Sequence, residues 1–332
     1  RSTCPSPHLC DLTMTFPAPT LRAFAALLLL AVLPLAGCDS SDSGMDEEPL
    51  RQVSYPLAAQ SNSGAIPSGV DGTVTFWELS DSQTLVTLEL TDGATGADVS
   101  HPAHIHQNSA SESGPIEFYL SPIDGSGGGG TSARVIDESF DTLADFDGYV
   151  NIHESVANLS TIVSQGNIGA NADATVTEGL DLVDGGGQTL TYDLGANQNN
   201  GNAAPNGIAG EVTFREVTTD LTLVTLSLDI SGATGASVSH PAHIHDNDAS
   251  TGGPIAIYLS PIDGSDPAAK SSKLVNRPIG ELETYDGYVN IHESLANLGA
   301  VVSQGNIGAN ASAASGGSDD DGDSGNGGGG RY

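Results

Sequence analysis

Apolar and polar residues alternate in short runs along most of this chain. Thr73-Val-Thr-Phe-Trp-Glu-Leu79 and Thr84-Leu-Val-Thr-Leu-Glu-Leu90 each turn every second side chain to the same side. A period of two is the mark of a strand with one buried face. Ile116 to Leu120, Ala133 to Ile136 and Tyr149 to His153 are further strands by the same criterion. Gly, Asn, Asp and Pro fill the gaps, where turns need them. The spacing of an amphipathic helix is missing, and only Glu154 to Val163 reads as a turn or two of helix.

The whole pattern occurs twice. VTFWEL from Val74 returns as VTFREV from Val212, HPAHIH at 101–106 returns at 240–245, and GPIEFYLSPIDG at 114–125 returns as GPIAIYLSPIDG at 253–264. DGYVNIHES at 147–155 and SQGNIGAN at 164–171 return at 286–294 and 303–310. The offset is 138 residues up to Leu88/Leu226 and 139 from Gly93/Gly232 onward. A one-residue slip within a paired strand would turn every later side chain to the opposite face, so the insertion belongs in a turn or bulge. A repeat this long is a duplicated domain rather than a solenoid unit. Some seven or eight strands in roughly 110–120 residues describe a sandwich. The predicted fold class is therefore all-β, with two tandem antiparallel sandwiches of Greek-key type and flexible ends. The predicted boundaries are 52–171 for domain one and 189–311 for domain two, joined by a linker over 172–188 that contains Gly185-Gly186-Gly187. Residues 312–332 read as a disordered acidic Gly/Ser/Asp tail.

Charge narrows the function classes. Nine Lys and Arg stand against 42 Asp and Glu, a formal net charge of −33. Nucleic acid is excluded as a partner, because its binders line the phosphates with basic residues. An anionic membrane surface would repel the chain. Lys270 and Lys273 are the only lysines, and such a surface stays hydrated and screened in high salt. The three cysteines, Cys4, Cys10 and Cys38, do not make a disulfide framework.

The first 37 residues read as an address preceded by upstream sequence. From Met14, Arg22 supplies a positive start and Ala23 to Leu35 a short apolar stretch, below the ~20 residues of a spanning helix. Leu35-Ala36-Gly37-Cys38 then resembles the bacterial lipobox. That resemblance implies cleavage before Cys38 and lipid on Cys38; the outer membrane or cell surface is the expected place, although Asp39 after the Cys is also compatible with inner-membrane retention. Residues 38–51 read as an acidic tether. The expected partners are the membrane, through that lipid, and an extracellular protein or matrix component.

Histidine carries the candidate chemistry. Apart from His8, the histidines fall four to a repeat: His101, His104, His106 and His153, then His240, His243, His245 and His292. Side chains at i and i+2 of a strand share a face, so His104 and His106 point one way while Ile105 points the other. If the strand ending at His153 lies beside them, three imidazoles converge, and neutral imidazole suits copper, zinc and nickel. Three His with an open position is also a catalytic zinc set. A hydrogen-bonded framework without metal uses the same residues, and so does a surface that grips a partner. His101 and His240, each followed by Pro, rank as secondary ligand candidates. No catalytic set emerges: no G-x-S-x-G elbow and no H-E-x-x-H occurs. Asp124 and Asp263, in matching Ser-Pro-Ile-Asp-Gly, read as turn formers.

HPAHIH, then GPI, then YVNIH in this order resembles the chordin-type (CHRD) domain in both repeats. The usual Arg-containing closing strand of that family is replaced by SQGNIG at 164–169 and 303–308. The resemblance implies an extracellular β-sandwich protein. More distantly, His104-Ile-His106 and Ile152-His153-Glu154 are similar to the copper-ligand sequences of Cu/Zn superoxide dismutase, itself a β-sandwich. This likeness implies copper at His104, His106 and His153, and at His243, His245 and His292. It lacks a bridging His, a zinc loop, a cysteine pair and an active-site Arg, and an acidic domain does not steer an anionic substrate. The first expectation is thus a lipid-anchored, non-enzymatic binding or structural module. The alternatives are a copper-binding or redox protein and, from DDDGDSG in the tail, a calcium-dependent adhesin.

Overall fold

A computed structural model of the chain describes residues 50–61, 69–91, 99–126, 129–183, 186–197, 207–229 and 238–311. The signal segment, Cys38, the tether up to residue 49 and the tail 312–332 lie outside the described residues. The described residues of both repeats belong to one compact unit.

The structure is nearly all antiparallel β, with two short helices among the described residues. The first repeat runs β1 (Arg51–Ala59), β2 (Gly72–Ser80), β3 (Gln83–Leu90), β4 (Ser100–Gln107), β5 (Ile116–Asp124), β6 (Thr131–Ile136), α1 (Phe140–Ala144), β7 (Asp147–Ser155) and β8 (Asn158–Gly169). β9 (Thr177–Glu178) follows within the stretch read as a linker. It pairs with the start of β1. The second repeat runs β10 (Thr189–Ala196), β11 (Gly210–Glu216), β12 (Thr222–Leu228), β13 (Ser239–His240), β14 (Ala242–Asp246), β15 (Ile255–Tyr258), β16 (Ile262–Asp263), β17 (Lys270–Val275), α2 (Ile279–Glu283), β18 (Asp286–Ser294) and β19 (Asn297–Gly308).

Each repeat has two layers. In the first repeat β1, β2, β3 and β6 are hydrogen-bonded in that order, and β5, β4, β7 and β8 form the other layer. The last two residues of β1, Ala58 and Ala59, cross over to pair with β8. Strands that change layers in this way make corners. The alternation of apolar residues explains the layering. Val74, Phe76, Val86 and Leu88 meet Ala103, Ile105, Val150 and Ile152 in one core. Their counterparts build a second core in the other repeat. Because Ala103 and Ile105 face inward, their neighbours His104 and His106 must face outward from the second layer.

Residues 154–163 are not helical. They close β7 onto β8 as a hairpin, with Ser155 opposite Asn158. The helices lie elsewhere. In α1, Ser139 caps Thr142 N through its side chain, and Phe140 and Leu143 are buried. Five residues are too few for helical periodicity to show in the sequence. The one-residue insertion falls between Thr91/Asp229 and Val99/Val238, outside the described residues and outside β3, β4, β12 and β13.

The two repeats dock symmetrically. β6 meets β17 at Ala133 and Ser272, which are equivalent positions in the two copies. Ser100 and Ser239, also equivalent, share a hydroxyl–hydroxyl hydrogen bond of 2.7 Å. Contacts between equivalent residues mark a local two-fold axis, as in an isologous dimer. A third apolar cluster joins Leu79, Leu85 and Ala133 to Val217 and Leu223, and Leu180 and Leu182 from the stretch after β9 pack against it.

Candidate metal centre

His104, His106 and His153 come together on the outer side of the second layer. One ligand nitrogen from each lies within 4.8 Å of the other two, and the same holds for His243, His245 and His292. The register explains the meeting. His104 and His106 of β4 stand opposite Asn151 and Tyr149 of β7, so His153 falls diagonal to His104 on the same face. Bulges interrupt the ladders next to His106 and next to His153, and bulges re-aim side chains.

Backbone carbonyls fix the rings. His106 Nδ1–H donates to the carbonyl of Gly114 at 2.9 Å, and His153 Nδ1–H donates to that of Leu159 at 2.6 Å. In the neutral ring this leaves the Nε2 lone pair of each free to act as acceptor or ligand. His104 Nδ1 lies 3.1 Å from His153 Nε2. Since His153 carries its proton on Nδ1, His104 is the donor between them. The second repeat matches: His245 Nδ1–H to Gly253 at 3.0 Å, His292 Nδ1–H to Leu298 at 2.7 Å, and His243 Nδ1 3.2 Å from His292 Nε2. Gly114 is required where it stands, because a Cβ there would come within 2.0 Å of the Gln107 carbonyl oxygen. The same close approach recurs at Gly253.

Burial disfavours the protonated form of four of the six rings. Burial pushes His153 down to about 4, with the His104 charge adding to the effect. Burial likewise pushes His243 down to about 3, aided by His292 and His245. Burial also lowers His106 and His292. Imidazoles that stay unprotonated at neutral pH do not need to release a proton to bind a cation. The Nε2 atoms of His104, His106 and His245 are buried without a hydrogen-bond partner. Tyr149 stacks on His106 at 4.9 Å and Tyr119 sits edge-on to His104 at 5.0 Å. Tyr288 and Tyr258 do the same for His245 and His243.

These facts test whether a metal fits. Three nitrogens at ~2.0–2.1 Å from one ion stand roughly 3.5 Å apart. The 3.1 Å and 3.2 Å pairs are already near that spacing, and the third nitrogen lies within 4.8 Å of both. The two buried three-His groups can each hold a metal ion.

His101 and His240 stand apart from both groups. They are fully buried, and each bonds the carbonyl of the third histidine, His153 or His292, at 2.9 Å. They thereby fasten β4 to β7 and β13 to β18. Asp124 and Asp263 do form turns, accepting from Ser126 N and Ser265 N at 2.8 Å. Asp263 also reaches the other repeat, where its Oδ2 lies 3.8 Å from His104 Nε2. The sequence pattern gave no sign of that contact, because it crosses between repeats.

The chain matches no family model, and no curated protein or solved structure matches it significantly.

Proposed function

We propose that this chain is a non-enzymatic binding protein of the bacterial cell envelope. Its two chordin-type domains, laid out like the superoxide dismutase sandwich, each hold one copper ion on three imidazoles. The single observation behind this reading is the pair of buried three-His groups with ring nitrogens already gathered. The donor set supports copper. No thiolate is present in the site, imidazole suits Cu, Zn and Ni, and Cu(II) binds such ligands most tightly in the divalent series. Bound copper would supply one-electron chemistry. The chain's own contribution is to fix three rings by carbonyl bonds and to keep water away. The lipobox-like Leu35-Ala-Gly-Cys38 supports an envelope location.

The test is metal content. Residues 45–311 are offered Cu(II), Cu(I), Zn(II) and Ni(II), and bound metal is counted. Two copper per chain are expected, with one lost in His104→Ala, one in His243→Ala and both in the double variant. No tight metal would make the six histidines a hydrogen-bonded framework and overturn the reading. The envelope assignment is tested on native protein by mass spectrometry, which should find an acylated Cys38 at the mature N-terminus.

A further inference from the structure

The two histidine clusters are copies, but their surroundings are not. Asp263 belongs to the second repeat, yet its carboxylate lies 3.8 Å from Nε2 of His104 in the first, both groups being buried. Its other oxygen is held by Ser265 N at 2.8 Å and Ser265 Oγ at 2.7 Å, so the carboxylate is aimed. Among the described residues no carboxylate lies within ion-pair distance of His243, the equivalent ligand. Asp124, the counterpart of Asp263, has Lys273 as its charged neighbour instead.

Two substitutions between the copies accompany the difference. Asp266 stands where the first repeat has Gly127. It takes Arg134 from across the interface at 3.0 Å, and Arg134 also donates to the Lys270 carbonyl. Arg134 is the counterpart of Lys273. Engaged with Asp266, it leaves Asp263 to face His104.

The consequence depends on the proton of His104. In the metal-free cluster that proton sits on Nδ1, shared toward His153 Nε2. If Nδ1 becomes the ligand atom, the proton belongs on Nε2, which faces Asp263. A carboxylate behind a ligating imidazole fixes the tautomer and strengthens the ligand, and losing such a partner costs about 10–100-fold in affinity. We propose that Asp263 is the positioning residue of the first metal site, supplied across the repeat interface, so that the two sites bind metal unequally and the first is the tighter. This rests on the metal-binding reading above.

The experiment uses the two-repeat chain with one site silenced at a time. His243→Ala reports the first site and His104→Ala the second, each titrated with Cu(II) against a competing chelator. The first site is expected to bind about 10–100-fold more tightly. Asp263→Asn in the His243→Ala background should remove that advantage and alter the Cu(II) electron paramagnetic resonance spectrum. In the His104→Ala background it should leave the second site's affinity unchanged, which also shows that the variant is folded. Asp124→Asn should leave the second site unchanged too. Equal affinities of the two sites, an Asp263→Asn effect on both or on neither, or an Asp124→Asn loss matching that of Asp263→Asn would overturn the assignment. An unsubstituted chain that binds no metal would overturn the underlying reading as well.

Discussion

The first and second histidine clusters have the same rings, the same carbonyl anchors and nearly the same distances, 3.1 Å against 3.2 Å for the closest nitrogen pair. What separates them lies behind the rings: a carboxylate faces His104 and, among the described residues, none lies within ion-pair distance of His243. A site is therefore not fully described by its ligands. Two copies of one motif acquire different surroundings when neighbours change, here Asp266 in place of Gly127 and Arg134 in place of Lys273.

The largest expected effect tests what the copies share. Ile105 and Ile244 lie fully buried under the two His pairs. Ile105→Ala and Ile244→Ala should each cost about 2–5 kcal/mol in urea unfolding. Unequal costs would show that the two cores are packed differently. The next test addresses what they do not share. Arg134→Met strands the buried Asp266 carboxylate and should cost about 3 kcal/mol, with much of the loss recovered in Arg134→Met/Asp266→Ala. No recovery would mean that the pair does not define this interface.

Acid acts on both clusters at once. The ordinary histidine value is 6.5, and in the fold His153 is held near 4 and His243 near 3. Between those limits the unfolded chain binds more protons than the folded one, so stability falls with falling pH. It should be complete above about 6.5 and drain away on acidification through 4 and 3. Double His→Ala variants at 153 and 243 should flatten that slope in denaturation curves taken across the window, and an unchanged slope would remove these groups as its cause. The smallest effect belongs to the axis: Ser100→Ala loses one hydroxyl–hydroxyl bond and should cost about 1 kcal/mol, measured by thermal unfolding.

Much of this was legible in the chain. Alternation located β2 and β3 to within a residue at each end, and i, i+2 spacing put His104 and His106 on one face. That His153 joins them depends on β4 lying beside β7, a neighbour relation that local pattern does not encode. The bulges beside His106 and His153 are set by ladder geometry, so they too were invisible. Asp263 reads as a turn former and is one, but its second contact crosses from one copy to the other. The hairpin at 154–163 reads in the sequence as a turn or two of helix because Val156, Leu159 and Ile162 fall three residues apart.

The hydroxyl pair of Ser100 and Ser239 has a further implication. Two separate copies meeting across such an axis would associate and dissociate by mass action, and dilution would part them. Joined by a short stretch of backbone, they see each other at an effective concentration on the order of mM. An interface mixing serine hydroxyls and ion pairs with a modest apolar patch then holds at any dilution of the protein. Fusion also gave each half its own codons, so that an aspartate could appear in one copy without appearing in the other.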